Sequence, residues 1–300
     1  MTAVVVPVFN GAHVLPACVP AALALADVDE WIWVDDGSTD GTAALLDRVL
    51  AAEPRARLVR HATNRGRAAA RNTGAAAARG DVLVFLDADV APSPDTAARF
   101  AETLRRGAVA TVARLVPQDP LAPDPYGEYL RRARRGVPRE ARPGDVLPWR
   151  LFVTAACALR AESLRSAGGF DESIPYGEDL ALAARLSSSA PDGLYASGAS
   201  AHISDTSTLA RALANVAAFG AALPAMEHRT PGLLRLAGLD RAVGPGWRGE
   251  IGRSRVLGAL VRRFAPRLPA PMQPLAVRYL LGHTLLRAYD DARPPPRPRR

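Results

Sequence analysis

The sequence predicts an α/β protein: a Rossmann-like, mostly parallel sheet with helices on both faces, followed by a helical C-terminal extension. Three observations carry this. Through the first two hundred residues, short apolar runs of strand length alternate with Ala/Leu-rich stretches of helix length. Clusters of Asn, Asp, Gly and Ser separate them, which is turn and helix-cap chemistry. Beyond about residue 206 the strand-like runs stop, and Ala/Leu/Arg helices broken by Pro and Gly take over. The expected organisation is an α/β domain over 1–205, a helical extension over 206–292, and a disordered Pro/Arg tail over 293–300.

The elements follow in order. Residues 3–9 read as a buried strand, and Asn10-Gly11 turns it into a helix over about 12–26. Trp31 to Val34 is a second strand, closed by Asp35-Asp36-Gly37-Ser38-Thr39-Asp40-Gly41, which offers several N-caps for a helix to about Ala52. A third strand covers 56–60, and Asn64-Arg65-Gly66 opens an Ala-rich helix through Ala78. Val82-Leu83-Val84-Phe85-Leu86 is a strand buried on both faces, running into Asp87-Ala88-Asp89 and stopped by Pro92 and Pro94. A helix over 93–106 and a strand over 108–116 come next. Residues 117–148 are rich in Pro and Arg with little periodicity, too long for a plain loop, and read as a functional or mobile insertion. A strand over Phe152–Leu159, a helix over Ala161–Ala167, a turn at Gly168-Gly169-Phe170-Asp171-Glu172, a helix from Glu178-Asp179 to about Ser188, and a strand over 194–202 ending at His202 complete the domain.

Composition narrows the function. The chain is 48% hydrophobic and 23% charged, as expected of a folded soluble domain. It has no Lys, so Arg carries the whole basic charge, and the net +8 favours anionic partners: nucleotides, phosphates or an acidic membrane surface. A codon-composition bias would give the same all-Arg pattern, and charge alone is no case for nucleic acid. Cys18 and Cys157 are too few for a zinc site and read as buried free thiols. No basic leader and no charge-free apolar run of about 18 residues appear. The expectation is a cytoplasmic protein, with peripheral contact at the inner face of the membrane left open.

Asp87 and Asp89, spaced i, i+2 at the carboxyl end of a buried parallel strand, can face the same side where such sheets hold ligands, with Ala88 leaving room between them. The pair suits an oxygen-liking divalent ion shared with phosphates. Two turn-forming aspartates capping the next helix are the plain alternative. Asp36 can accept hydrogen bonds from a base or ribose, or cap a helix. Arg71, on the helix opened by Asn64-Arg65-Gly66, can face a diphosphate or simply be solvated. No GxGxxG follows the first strand and no GxxxxGK[ST] occurs, which argues against nicotinamide, flavin and P-loop chemistry.

Together, Val5-Val6-Pro7-Val8-Phe9-Asn10, Val34-Asp35-Asp36-Gly37-Ser38-Thr39-Asp40-Gly41-Thr42, Asn64-Arg65-Gly66 with Ala70-Arg71-Asn72-Thr73-Gly74, Phe85-Leu86-Asp87-Ala88-Asp89, and Gly168-Gly169-Phe170-Asp171-Glu172 with Glu178-Asp179-Leu180 resemble the family 2 glycosyltransferases, which have the GT-A fold. The likeness covers about residues 2–200. It implies that the backbone near Pro7, Val8 and Asn10, with the carboxylate of Asp36, holds a nucleotide base, usually uracil. It places Arg71 near the ribose or diphosphate. Asp87-Ala88-Asp89 would be the DxD motif, Asp89 the more direct ligand of Mg2+ or Mn2+ and Asp87 a second ligand or a ribose contact. Asp179 would be the general base, with Glu178 the alternative, and its helix N-terminus is expected to keep it ionised. His202 stands where related enzymes supply a further metal or phosphate contact, and a structural histidine is an equal reading.

The implied activity is inverting transfer of one sugar from a nucleotide-sugar, a UDP-sugar before GDP- or dTDP-sugars, to an acceptor hydroxyl of unknown identity. The Gln-x-x-Arg-Trp motif of the processive members is missing, which favours single transfer over polymer synthesis. The competing readings are a sugar-nucleotidyltransferase-like enzyme, which would need a Gly-rich basic loop after the first strand, and a non-catalytic binding protein, against which the intact carboxylate set argues. Arg on Leu-rich helices such as Val256–Phe264 and Leu275–Leu286 would suit anionic lipid, the acceptor, a second copy, or plain packing on the catalytic domain.

Overall fold

The computed structural model describes residues 1–118, 123–132, 137–204, 208–244 and 247–293. The chain divides into two compact units, one comprising Met1–Pro120, Arg134–Ser173 and Glu178–Asp205, the other Leu121–Ala133, Ile174–Gly177 and Thr206–Arg300.

The first unit is built on β1 (Thr2–Val8), β2 (Glu30–Asp35), β3 (Ala56–Arg60), β4 (Val82–Leu86), β5 (Val90–Pro92), β6 (Ala110–Pro117), β7 (Ala156–Arg160) and β8 (Leu194–Ile203). Its helices are α1 (Leu15–Leu23), α2 (Thr42–Leu50), α3 (Arg67–Ala77), α4 (Thr96–Arg105), α6 (Ala161–Ser166) and α7 (Glu178–Ser189); α5 (Pro125–Arg132) belongs to the second unit. The strands form one sheet in the order β3-β2-β1-β4-β7-β6-β8-β5. The ladders among β3, β2, β1 and β4 are parallel, as is β6 with β8, while β7 runs antiparallel between β4 and β6 and β5 runs antiparallel to β8.

Alternation along the central strands explains why they read as continuous apolar runs. Val4, Val6, Val8, Trp31, Trp33, Val84 and Leu86 share one core with Leu15 and Val19 of α1, Leu46 and Leu50 of α2, and Phe100 and Leu104 of α4. Val5 and Val34 point the other way, against Gly74 of α3, and the Phe85 ring meets Phe170 edge-on at 5.3 Å.

Three boundaries differ from expectation. Pro92 does not stop the strand: after the turn closed by Val90 N–H on the Asp87 carbonyl, the chain makes β5, an edge strand, where proline is tolerated. The strand expected from Phe152 begins at Ala156, because Trp149–Leu151 is a 3-10 turn whose Trp149 indole N–H donates to the Ala190 carbonyl. The stretch 117–148 contains α5, whose periodicity was hidden among its arginines.

The second unit adds α8 (Leu209–Arg229), α9 (Leu233–Leu236), α10 (Asp240–Val243), α11 (Trp247–Arg253), α12 (Arg255–Phe264) and α13 (Gln273–Ala292). Tyr126 and Leu130 of α5, one helical turn apart, pack with Ala212 of α8 and Val277 of α13. Asp124 caps α5 through Tyr126 and Gly127 N–H and also accepts from Leu209 N–H. Helices α8 and α13 approach closely at Gly220, where a Cβ would lie 2.5 Å from the Leu285 carbonyl oxygen. By length and composition α8 is long and apolar enough to cross a membrane, which a search for charge-free runs does not register. Four of its residues, Ala212, Gly220, Leu223 and Met226, are buried. The tail expected over 293–300 lies outside the described residues from 294 on.

Candidate active site

The carboxyl ends of β2, β1 and β4 lie side by side, with Val8 opposite Asp35 and Val5 opposite Phe85. The loops leaving β1 and β2 are tied to each other. Asn10, at φ +50°, donates its N–H to Ser38 Oγ at 2.9 Å and accepts Thr39 N–H on its side-chain oxygen at 2.9 Å. Gly11 N–H reaches Thr42 Oγ1 at 2.9 Å, and Asp36 N–H the Val8 carbonyl at 2.8 Å. Pro7 is half-buried, Val8 buried and Phe9 exposed, so this edge is a braced backbone ledge open on one side.

Asp36 is 2% exposed. Its carboxylate accepts Arg65 N–H at 2.9 Å, Gly66 N–H at 2.8 Å and His61 Nδ1 at 2.6 Å, while His61 Nε2 lies 3.0 Å from Thr73 Oγ1. The carboxylate thus holds the Arg65-Gly66 backbone that leads into α3, some thirty residues further along the chain. The Gly37 site admits no side chain, since a Cβ would fall 2.5 Å from the Thr63 backbone at φ +73°.

Arg71 lies at the centre. It is 1% exposed, and its guanidinium donates to Asp87 Oδ1 at 2.7 Å and to Glu178 Oε1 at 2.5 Å, 5.7 Å from the centre of the Phe170 ring. Burial opposes its charge, but Asp87 and Glu178 outweigh burial and raise its pKa above the ordinary arginine value. Two nitrogens of its fork thus join two carboxylates, one of them Asp87, while Nε has no hydrogen-bond partner among the described residues. Its neighbour Asn72 donates to the Phe170 carbonyl at 2.9 Å and to Glu172 at 3.0 Å, and accepts Phe170 N–H at 2.9 Å. Arg65 adds an ion pair to Glu172 at 3.2 Å. Gly74 lets α3 settle onto β1, since a Cβ there would be 2.3 Å from Val5 Cγ1. The Arg-Asn-x-Gly and Gly-Gly-Phe-Asp-Glu motifs are thus two halves of one clamp.

Asp87 is half-buried, and its backbone remains paired, N–H to the Ala155 carbonyl at 3.0 Å. Arg71 occupies Oδ1; Oδ2 has no partner among the described residues. Ala88 is half-buried against the core, and Asp89 is half-buried near Cys18, whose thiol is pushed up to about 11 by burial and then by the Asp89 charge. His202 is exposed on β8 opposite Ala91, and Ser204 N–H donates to the Asp89 carbonyl at 3.0 Å. Among the described residues no three His, Cys, Asp or Glu side chains converge as a ready-made metal ligand set. The donors at hand are all-oxygen carboxylates, which fit Mg2+ or Mn2+ when a bound diphosphate and water complete the shell.

Glu178 and Asp179 open α7 directly after Gly177, at φ +93°. Glu178 is 2% exposed and committed to Arg71, with Arg67 at 3.8 Å. Asp179 is half-buried and accepts Leu180 N–H at 2.8 Å. Burial first, and the Glu178 charge second, push its pKa up to about 6, against the pull of Arg71. Burial and the like charge of the preceding residue thus act against the helix N-terminus, which favours the ionised form. Sequence reasoning missed His61 as part of the site, and named Asn72, Phe170 and Glu172 only as motif letters.

A mostly parallel sheet with carboxylates gathered at one strand edge and a helical C-terminal region defines the GT-A class. Residues 3–165 match glycosyl transferase family 2, and the chain belongs to that family. Among similar proteins, a pre-mycofactocin glycosyltransferase of Mycobacterium tuberculosis is 32% identical over 186 residues, covering 61% of this chain and 38% of the relative. An undecaprenyl-phosphate 4-deoxy-4-formamido-L-arabinose transferase of Aeromonas hydrophila is 36% identical over 113 residues, 36% of this chain and 34% of the relative. The chain thus spans little more than a third of these relatives' length. Among solved structures, S. aureus TarS 1-349 in complex with UDP-GlcNAc superposes with a TM-score of 0.62 at 14% identity, covering 97% of this chain and 91% of that one. The mannosyltransferase PcManGT of Pyrobaculum calidifontis, in complex with GDP-Man and Mn2+, gives 0.56 at 19% identity, covering 96% and 87%. At these identities the structural likeness establishes the fold.

Proposed function

We propose that the chain is an inverting glycosyltransferase that moves a single sugar from a nucleotide-sugar, a UDP-sugar first, to an acceptor hydroxyl. The observation that carries the proposal is the Arg71 bridge: one buried cation fixes Asp87 of the donor-side pair and Glu178, the neighbour of Asp179, on either side of a single site. The backbone ledge at Pro7, Val8 and Asn10 holds the base, and Asp36 acts through the Arg65–Gly66 backbone that it braces. A Mg2+ or Mn2+ on Asp89 and the open oxygen of Asp87 would offset charge building on the departing diphosphate. His202 is assigned no more than a peripheral contact.

Asp179 takes the proton of the acceptor hydroxyl as its oxygen forms a bond to the anomeric carbon, on the face opposite the diphosphate. The bond to the diphosphate breaks with its electron pair, and the configuration inverts. A pKa near 6 suits that task, since the carboxylate is mostly ionised at neutral pH yet more basic than a solvated aspartate. Glu178 has no role as a base here, its oxygen being held by Arg71. The relatives' transferase names and the UDP-GlcNAc and GDP-Man complexes of the solved neighbours support this class of donor.

The test is calorimetric titration of UDP with Mn2+ into the protein and its Asp89→Ala variant, followed by donor and acceptor screens read by nucleotide release. Mn2+-dependent UDP binding that Asp89→Ala loses is the expected outcome. Binding equal in both would remove Asp89 from the donor site.

A further inference from the structure

Exposed apolar side chains are concentrated in one short region. Seven of the ten large hydrophobic residues that stand exposed among the described residues fall within 251–275: Ile251, Val256, Leu257, Leu260, Phe264, Met272 and Leu275. Such clustering marks a contact surface, whereas single exposed apolar residues need no explanation.

Helix α12 organises the patch. Val256 is 73% exposed, Leu260 and Phe264 48% each, and Leu257 36%. At about 100° per residue these four share one arc of roughly 100°, and Arg255, Arg262 and Arg263 occupy the adjoining arc. Gly258, seated against His283, and Ala265 face the interior of the unit. The helix therefore has three sides: one packed, one apolar and open, one cationic and open. Ser254 caps its first turn, accepting Leu257 N–H at 3.3 Å, so the helix starts at a fixed place.

The charge is equally one-sided. Between residues 251 and 289 the chain has seven arginines and no Asp or Glu. Arg253 is neutralised by Asp290, but Arg255, Arg262, Arg263 and Arg278 are exposed and form no ion pair with a carboxylate among the described residues. Two copies of this face would set arginine against arginine. A nucleic acid would satisfy the arginines but leave Val256, Leu260 and Phe264 in water. An anionic bilayer satisfies both, with acyl chains for the apolar arc and headgroup phosphates for the cationic one.

We propose that α12 docks this chain on an anionic lipid bilayer, lying in the plane of the headgroups. Co-sedimentation of the full chain with vesicles tests it. Binding to phosphatidylcholine mixed with phosphatidylglycerol is expected to exceed binding to phosphatidylcholine alone by about tenfold or more, and to weaken with salt. The double variant Leu260→Glu/Phe264→Glu should lose at least about tenfold. Arg262→Ala/Arg263→Ala should lose about fivefold per arginine, with unchanged thermal midpoints showing that both remain folded. Absence of binding to the mixed vesicles overturns the proposal, as does binding that Leu260→Glu/Phe264→Glu leaves intact. A dimer seen by light scattering and dissolved by the same variant, without vesicle binding, would assign the face to a second copy instead. Competition by duplex DNA at physiological salt for a site insensitive to that variant would assign it to nucleic acid. None of these outcomes depends on the transferase reading, since no donor-site residue takes part.

Discussion

Arg71 of the sheet unit and the arginines of α12 in the helical unit are opposite uses of one side chain. In the sheet unit, Arg71 is sealed between Asp87 and Glu178, and nothing of its charge reaches solvent. In the helical unit, Arg255, Arg262 and Arg263 stand exposed in the stretch 251–289, which holds no Asp or Glu. A buried charge demands partners and cannot be removed cheaply, whereas an exposed one is nearly free to change and remains available to a ligand. The formal +8 is therefore not a uniform property of the molecule: it is internally spent at one place and on offer at the other.

The sharpest break in that comparison is at the reacting carboxylate. Asp179→Asn is expected to lower kcat by about 10²–10⁴-fold while UDP affinity stays level, measured by nucleotide release beside calorimetry. Since burial makes the charged form of Asp179 unfavourable, the same variant should unfold at an equal or higher temperature. Next comes Arg71→Met, which leaves two carboxylates without their cation and should cost about 3–5 kcal/mol in guanidinium unfolding. Arg71→Lys should recover only part of this, because an ammonium lacks the planar fork that spans both partners. A pH profile probes the same network more gently. A base must be deprotonated to work, so kcat/KM should be flat above about pH 7 and fall toward tenfold per unit below about 6. At the small end, Arg262→Ala should change stability by less than about 0.5 kcal/mol; a loss as large as that of Arg71 would erase the contrast between the units.

Much of the sheet unit was legible. Residues 56–60 were placed to the residue, and the Asp87-Ala88-Asp89 turn was located from one apolar run and two carboxylates. Those are local signals, carried by neighbours in the chain. What escaped was the cross-talk between distant segments. The Arg71–Glu178 bond spans 107 positions, and Asn72–Phe170 spans 98, so no periodicity announces them. The burial of Arg71 was not legible, because helix position alone does not say how deep a side chain lies; Gly74, which lets α3 sink onto Val5, was the one hint. His61 carried no signal in spacing at all. Helix α5 was overlooked because Tyr126 and Leu130 are its only fully buried apolar pair in a run of Pro and Arg, too brief to show a period.

The path of α5 has a consequence for how the molecule can be divided. The chain leaves the sheet unit after β6, deposits Tyr126 and Leu130 among Ala212 and Val277, and returns before β7. A single cut near residue 205 therefore does not separate two self-sufficient pieces. It strands α5 on one fragment and its packing partners on the other, leaving an aromatic pair and a sheared helical core both exposed to water. Sequence continuity and structural membership part company here, since the chain passes between the two units five times, and no single cut severs them cleanly.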